Sequence, residues 1–254
     1  MSLYLSVACV LIQISAAGVS VVPNQPVLSY SAGLGPVAYD PTSIQGGSWQ
    51  SEGPATAMPV IDMGLPAWRI EDLSATIGTV YRQPLSISEI NELESYGWSL
   101  SATLRMIDGG TNEERRFPAS IFFGFAIDGA RWDIYADLDA NGDLLLYQAS
   151  ELSEVLQAIQ VTTDMSGSED YHKIEILREA GATDAKILID GLIVGAISPT
   201  NLLSDGPEGI RFGAGSSQGE GVANFRSVEL VALPAPGAFG LAATVCIVMA
   251  RRRR

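Results

Sequence analysis

Cysteine, histidine and positive charge are all scarce in this sequence of 254 residues. The two cysteines, Cys9 and Cys246, lie near opposite ends, and His172 is the single histidine. The body between those ends therefore has no thiolate nucleophile, disulfide or cysteine metal site, and one histidine excludes a histidine-rich zinc site. Fifteen Lys and Arg stand against 29 Asp and Glu, a net charge of −14. Because such a chain repels phosphate backbones, we do not expect nucleic acid as a partner.

Apolar residues are plentiful, at 47% of the sequence, and so are glycine (26) and proline (13). The apolar content is enough for a packed core and excludes a globally disordered chain. The abundance of glycine and proline favours a turn-rich all-β protein over a helical bundle.

The clearest strand covers residues 98–107 (WSLSATLRMI), where apolar and polar side chains alternate. This period of two predicts a half-buried antiparallel strand. Just before it, Ser86 and Glu89 have the spacing of a capping box, and Gly97 is a typical helix terminator. The sequence therefore predicts one short helix over residues 87–96, leading directly into the strand.

Further strands are predicted at 120–127, 131–138, 143–148, 171–178, 185–190, 192–197, 208–213 and 222–232. The hairpin signals Asp128-Gly129, Asn141-Gly142 and Asp190-Gly191 separate several of them. Residues 150–161 fit either a helix or a strand, and the Gly-, Pro- and Ser-rich stretch 21–56 predicts turns and short edge strands. Many short strands with one helix predict an antiparallel β-sandwich.

The N-terminal residues 3–17 form an uncharged apolar run that ends in Ser15-Ala16-Ala17. This pattern resembles a secretory signal peptide, although no Lys or Arg precedes the run. We therefore expect residues 1–20 to be a helical leader that is removed on export. The alternative is a buried N-terminal strand or helix.

The C-terminus has three parts that follow one another without interruption. They are a break at Pro234, Ala235, Pro236 and Gly237, the apolar run 238–250, and the basic end Arg251, Arg252, Arg253 and Arg254. Together they resemble the PEP-CTERM tail that exosortases process, with Ala235 where that motif has Glu. The resemblance implies a sorting tail over 234–254 whose helix is transiently in the inner membrane, with the arginines on the cytoplasmic side. A plain membrane anchor is the alternative.

Four segments of the body resemble one known fold when they are taken in order: 97–106, 122–147, 171–195 and 209–231. They are similar to the concanavalin A-like lectin/glucanase jelly roll in its laminin-G-like form, and to bacterial sialidase-associated lectin domains. The resemblance spans 60–232 and implies one jelly-roll domain over 21–233. This fold carries lectins, glycosidases, lyases and passive spacers, so it does not decide the function.

No catalytic motif accompanies that resemblance. The Glu-x-Asp-x-x-Glu strand of laminarinase-type members is absent, and the acidic cluster Glu89, Glu92 and Glu94 falls on the predicted helix as a solvated face. His172 could belong to a Ser-His-Asp unit, but the sequence has no Gly-x-Ser-x-Gly elbow. Its place beside Tyr171 at a strand start favours a packing role, so we predict that the protein is not an enzyme.

The sharpest local motif places oxygen-bearing side chains at alternate positions around Gly142. These are Asp137, Asp139, Asn141 and Asp143. Such a loop suits calcium, although its twelfth position is Gln148 where a bidentate Glu is expected. The same residues favour a β-hairpin, because Asn and Gly adopt positive φ with little strain. We prefer the hairpin and expect no cofactor, with calcium as the alternative.

Aromatic side chains supply the candidates for glycan stacking. Trp49 and Trp132 are the best placed, whereas Trp98 lies on the apolar face of its strand and is expected in the core. The glycine-rich segment 213–221 would be a turn or the rim of a site. We therefore predict a non-catalytic exported protein of the cell surface or extracellular matrix that binds polysaccharide. The alternatives are an unrecognised carbohydrate-active enzyme and a structural surface component without a ligand.

Overall fold

The structure, a computed structural model, describes most of the predicted body. The described residues are 23–33, 40–43, 49–53, 56–73, 79–109, 120–127, 129–149, 156–159, 169–201, 208–215 and 219–234. The expected leader and the tail beyond Pro234, with the helix predicted in each, lie outside these residues. Among the residues described, no helix is both long and apolar enough to span a bilayer.

Strands make up nearly all of the regular structure. They are β1 (Pro26–Ser31), β2 (Gln50–Glu52), β3 (Thr56–Asp62), β4 (Leu65–Asp72), β5 (Val80–Pro84), β6 (Gly97–Asp108), β7 (Ile121–Ile127), β8 (Ala130–Leu138), β9 (Leu144–Ala149), β10 (Leu156–Ile159), β11 (His172–Glu179), β12 (Ala185–Ile189), β13 (Leu192–Ile197), β14 (Thr200–Asn201), β15 (Gly209–Ala214) and β16 (Gly221–Ala232), with a single α-helix, α1 (Ile87–Tyr96), in the described part. Every strand predicted from the sequence is present with its bounds shifted by at most one residue, and 150–161 contains β10.

The strands form two antiparallel sheets. Sheet A has the order β13-β12-β11-β6-β16-β4-β3, with β1 also paired to β16. Sheet B has the order β10-β9-β8-β7-β15-β5-β2, with β14 paired to β8. Their facing surfaces enclose one hydrophobic core, to which both sheets contribute aromatic and aliphatic side chains. The all-β antiparallel sandwich predicted from the sequence is therefore confirmed.

Helix α1 has the predicted ends. The Ser86 hydroxyl accepts a hydrogen bond from the Glu89 N–H, and the Glu89 carboxylate accepts one from the Ser86 N–H at 2.7 Å. Gly97 ends the helix with φ of 81°, and a Cβ there would lie 2.6 Å from the Arg178 carbonyl oxygen. Gly97 is therefore required both for its positive φ and for the close approach of β11.

Strand β6 is more deeply buried than its alternation predicts. Trp98 and Leu100 point into the core, as expected, but Ser99 and Ser101 on the opposite face are buried as well. The Ser99 hydroxyl donates a hydrogen bond to the Glu175 carboxylate on β11. This position between β11 and β16 makes β6 a central strand of sheet A.

Asp62, at the tip of the β3–β4 hairpin, accepts several hydrogen bonds from the rest of the chain. Strand β16 pairs with β4 up to Phe225 and with β1 from Ser227, and its register shifts between the two. The Asp62 carboxylate at the tip accepts hydrogen bonds from Arg105 (2.9 and 2.5 Å), from the Tyr171 hydroxyl (2.7 Å) and from the Asn224 amide (2.8 Å). Burial alone would raise the pKa of Asp62, but these hydrogen bonds and the Arg105 charge lower it to about 2.

Candidate functional site

The outward face of sheet B carries a group of polar and aromatic side chains away from the main core. Along β8, Trp132 and Ile134 point into the core, and the alternate positions Arg131, Asp133 and Tyr135 therefore point outward. We call this outward surface the sheet B face.

One row across the sheet B face is charged. Arg82 on β5 lies directly opposite Arg211 on β15. Arg211 in turn lies opposite Gly124 on β7, and Gly124 lies opposite Asp133 on β8. The Arg211 Nη2 atom donates to both oxygens of Asp133, at 2.9 and 2.8 Å. Arg131 donates to the same carboxylate through Nε and to the Tyr135 hydroxyl through Nη2, at 3.1 Å. Asp133 thus links two guanidinium groups.

Gly124 makes that bridge possible. A Cβ at this position would lie 1.8 Å from Asp133 Oδ1 and 2.7 Å from its Cγ. The absence of a side chain on β7 therefore lets the carboxylate lie across the strand and reach Arg211. This is a close approach of a side chain to a backbone that only glycine permits.

The adjacent row of the sheet B face is aromatic. Phe122 on β7 lies opposite Tyr135 on β8, which lies opposite Tyr147 on β9. The rings of Phe122 and Tyr135 stack with centroids 5.4 Å apart and an interplanar angle of 24°. Both are buried, whereas Tyr147 is half-buried and is the ring of this row that a ligand can reach. Arg211 lies 5.6 Å from the Phe122 centroid and joins the two rows.

The two tyrosines of this row remain neutral hydroxyls at ordinary pH. Burial raises the pKa of Tyr135, and the charge of Asp133 raises it further. Burial likewise raises the pKa of Tyr147, with a contribution from the charge of Asp137. Both hydroxyls are therefore suited to donate and accept hydrogen bonds and not to act as a base.

The tryptophans predicted to stack on glycans do not reach the sheet B face. Trp49 is 4% exposed and packs edge-on against Phe212 at 5.2 Å, and Trp132 is 2% exposed and packs against Trp98 at 5.6 Å. This burial corrects the prediction for both residues. Trp132 shares the inward parity of Ile134, so the alternation in β8 places it in the core.

The acidic motif forms the preferred hairpin. The Asp139 N–H donates to the Asp143 carbonyl at 2.9 Å, and Asp139 Oδ1 accepts from the N–H groups of Asn141 and Asp143, both at 2.8 Å. These backbone hydrogen bonds, that from Asp143 first, lower the pKa of Asp139. Asp137 is buried on the outward side of β8, away from the turn. In the described part of the chain, no three His, Cys, Asp or Glu side chains are grouped to hold a metal.

The other titratable candidates make structural contacts away from the sheet B face. His172 Nδ1 lies 2.7 Å from Asp190 Oδ2, and Asp190 Oδ1 accepts from the Lys173 N–H, so this pair joins the β12–β13 turn to β11. Glu94 pairs with Arg178 at 2.9 Å, while Glu89 belongs to the capping box. Of segment 213–221, the described parts are the end of β15, Gly215 and the residues leading into β16.

The carboxylates of the sheet B face are poorly spaced for glycoside hydrolysis. Asp133 and Asp137 are four residues apart on one strand, which corresponds to about 13 Å. Retaining and inverting glycosidases need carboxyl groups about 5 to 9.5 Å apart. In addition, Asp133 is held in place by hydrogen bonds from two arginines.

No protein-family model matches the sequence, and no curated protein matches it. Among solved structures, the chain is similar to a conserved carbohydrate esterase of the Shiga toxin-encoding bacteriophage phi24B. That match has a TM-score of 0.59 and 13% identity, and it covers 82% of this chain and 99% of the other. The chain is also similar to the binding domain of botulinum neurotoxin serotype D/C VPI 5993, with a TM-score of 0.50, 15% identity, and 83% and 49% coverage. At these identities the likeness shows the fold alone.

Proposed function

We propose that this protein is a non-catalytic carbohydrate-binding protein that holds a polysaccharide on the sheet B face. The observation that carries the proposal is the aromatic row beside the charged row. Tyr147 offers a partly exposed ring to the C–H face of a sugar, and the stacked rings of Phe122 and Tyr135 continue the row on the neighbouring strands. Arg82, Arg131 and Arg211 are each partly exposed beside it and can donate to sugar oxygens. An apolar surface with a few placed polar groups is typical of ligand sites.

The contacts within the site support binding over catalysis. Asp133 accepts hydrogen bonds from two arginines, Asp133 and Asp137 are about 13 Å apart along β8, and burial raises the pKa of Tyr135 and of Tyr147. His172 is engaged with Asp190 on sheet A. The likeness to a carbohydrate esterase concerns the fold and transfers no catalytic residues to this chain.

Binding of the intact chain to a polysaccharide panel tests this function. We expect binding to at least one polysaccharide, and Tyr147→Ala should weaken it about tenfold, as loss of a central aromatic contact does. Tyr96→Ala is the matched control, because Tyr96 is also half-buried but lies on α1. Absence of binding across the panel, or equal weakening by both variants, would favour a structural component without a ligand.

We also propose that the protein is exported and sorted to the cell surface or extracellular matrix by an exosortase-type protease. This rests on the leader-like residues 1–20 and on the tail 234–254. We expect mass spectrometry of the exported form to show neither segment. A peptide containing Arg251 in that form would contradict exosortase processing and indicate a plain membrane anchor.

A further inference from the structure

The charged row places two positive groups side by side. Arg82 and Arg211 are directly opposite each other on neighbouring antiparallel strands and on the same face. Residues in this relation have Cβ atoms about 4.5 to 5.5 Å apart, and like charges there destabilise the sheet. A negative charge close to the two arginines would therefore stabilise this arrangement.

The described part of the chain supplies that charge unevenly. Asp133 is shared between Arg131 and Arg211, so one carboxylate serves two guanidinium groups. Arg82 has Glu52, at 3.4 Å, but Glu52 is 58% exposed on the edge strand β2. Such an exposed pair provides little net stabilisation.

Arg82 is also incompletely hydrogen-bonded. Its Nε atom is enclosed and has no partner among the described residues, while its side chain as a whole keeps 27% exposure. Because this Nε is enclosed, a ligand cannot reach it. A ligand meets instead the exposed part of the guanidinium, which carries the other N–H donors.

We infer that the polysaccharide held on the sheet B face is anionic, with a carboxylate or sulfate group seated over Arg82 beside Arg211. This inference rests on the proposed function and specifies its ligand. A planar guanidinium binds either oxyanion through paired hydrogen bonds, and these are stronger than hydrogen bonds to neutral hydroxyls. The ligand's charge would also relieve the repulsion between the two arginines.

The acidic body limits how much ligand charge can be tolerated. The chain has a net charge of −14, so repulsion from the rest of the surface offsets part of the attraction between the arginines and an anionic polymer. Screening restricts this repulsion to about 8 Å at physiological salt. We therefore expect recognition of individual charged groups along a chain, and binding that weakens as salt is raised.

The test compares three kinds of polysaccharide on the intact chain: neutral (dextran and laminarin), carboxylated (polygalacturonate and alginate) and sulfated (carrageenan). We expect a carboxylated or the sulfated polymer to bind at least about tenfold more tightly than the neutral ones, and Arg82→Gln to remove that preference. Arg69→Gln is the matched control, because Arg69 is 28% exposed with an ion pair at 3.7 Å on the outward side of sheet A. It should leave the preference unchanged.

The outcomes separate this inference from the proposed function. Equal binding of neutral and anionic polymers, or a preference that survives Arg82→Gln, would overturn the anionic ligand while the carbohydrate-binding function stands. Absence of binding to every polymer would overturn both. A preference confined to the carboxylated or to the sulfated polymer would support the inference and identify which anionic group is bound.

Discussion

The outward faces of the two sheets use similar residues in opposite ways. On sheet A, Asp62 accepts hydrogen bonds from Arg105, Tyr171 and Asn224, and these contacts hold the β3–β4 hairpin against the sheet. On sheet B, Asp133 joins two arginines, and the neighbouring Arg82 pairs with the exposed Glu52. The first cluster holds the tip of the β3–β4 hairpin through hydrogen bonds within the chain, although the enclosed Nε atoms of Arg226 there and of Arg82 on sheet B both have no partner among the described residues. The second cluster places three arginines around one shared carboxylate.

The largest expected effect comes from Gly124→Ala on sheet B. The new Cβ would occupy the position of Asp133 Oδ1, so the carboxylate must move and leave Arg211 without its buried partner. Breaking a buried pair in this way costs about 3 to 5 kcal/mol. Denaturant unfolding measures the loss.

Gly221→Ala provides the control for that variant. Its added Cβ would lie 3.0 Å from an Ile121 side-chain atom and 3.7 Å from the Asp108 carbonyl and the Ser120 hydroxyl oxygens, so we expect a much smaller loss. Equal free energies of unfolding for Gly124→Ala and the unmodified protein would show that Asp133 does not depend on the glycine.

Asp62 on sheet A should make stability depend on acid. Its pKa is lowered to about 2 in the folded state, so the unfolded chain binds a proton more readily. The resulting stabilisation is present above about pH 4 and is lost as the pH falls towards 2, and we expect it to amount to about 1 to 2 kcal/mol after solvent screening. Asp62→Asn should be less stable at neutral pH and lose less on acidification. Parallel acid titrations of the two proteins would contradict this account of the cluster.

The smallest effect is expected for Arg82→Gln, and its sign is informative. The variant removes an exposed ion pair and also the repulsion with Arg211, so the free energy of unfolding should change by less than about 1 kcal/mol or rise slightly. Arg69→Gln should be the more costly, because Arg69 Nε donates to Asn224 at 2.9 Å. A loss above about 2 kcal/mol for Arg82→Gln would assign Arg82 a structural role and remove the contrast between the two faces.

The sequence predicted the elements whose signals are local. Helix α1 has the expected bounds because Ser86, Glu89 and Gly97 act within a few residues of one another. Strands β3, β4 and β5 and the two-residue strand β14 were not predicted. The edge strand β3 contains Pro59 and exposes Ile61, which obscures its alternation, and β5 has only five residues and ends at Pro84.

The candidate site was harder to predict, because it combines residues far apart in sequence. In the sequence of β8, apolar residues alternate with Arg131, Asp133 and Tyr135. This alternation could have identified the outward face of the strand. Arg82 lies opposite Arg211 because β5 and β15 are neighbours in sheet B. The order of strands in a sheet cannot be read from local sequence patterns. Residue type alone misassigned Trp49 and Trp132, since an aromatic ring fits either a core or a binding surface.

The position of β16 has a consequence for the timing of folding. This strand is the last of the described sandwich, yet it lies inside sheet A, with β6 on one side and β1 and β4 on the other. A ribosome releases Gly221–Ala232 after every other described strand, so until then sheet A remains in three separate parts, namely β13-β12-β11-β6, the β3–β4 hairpin and β1. Such long-range pairing also folds slowly. The topology therefore delays completion of sheet A until the last described strand has been made.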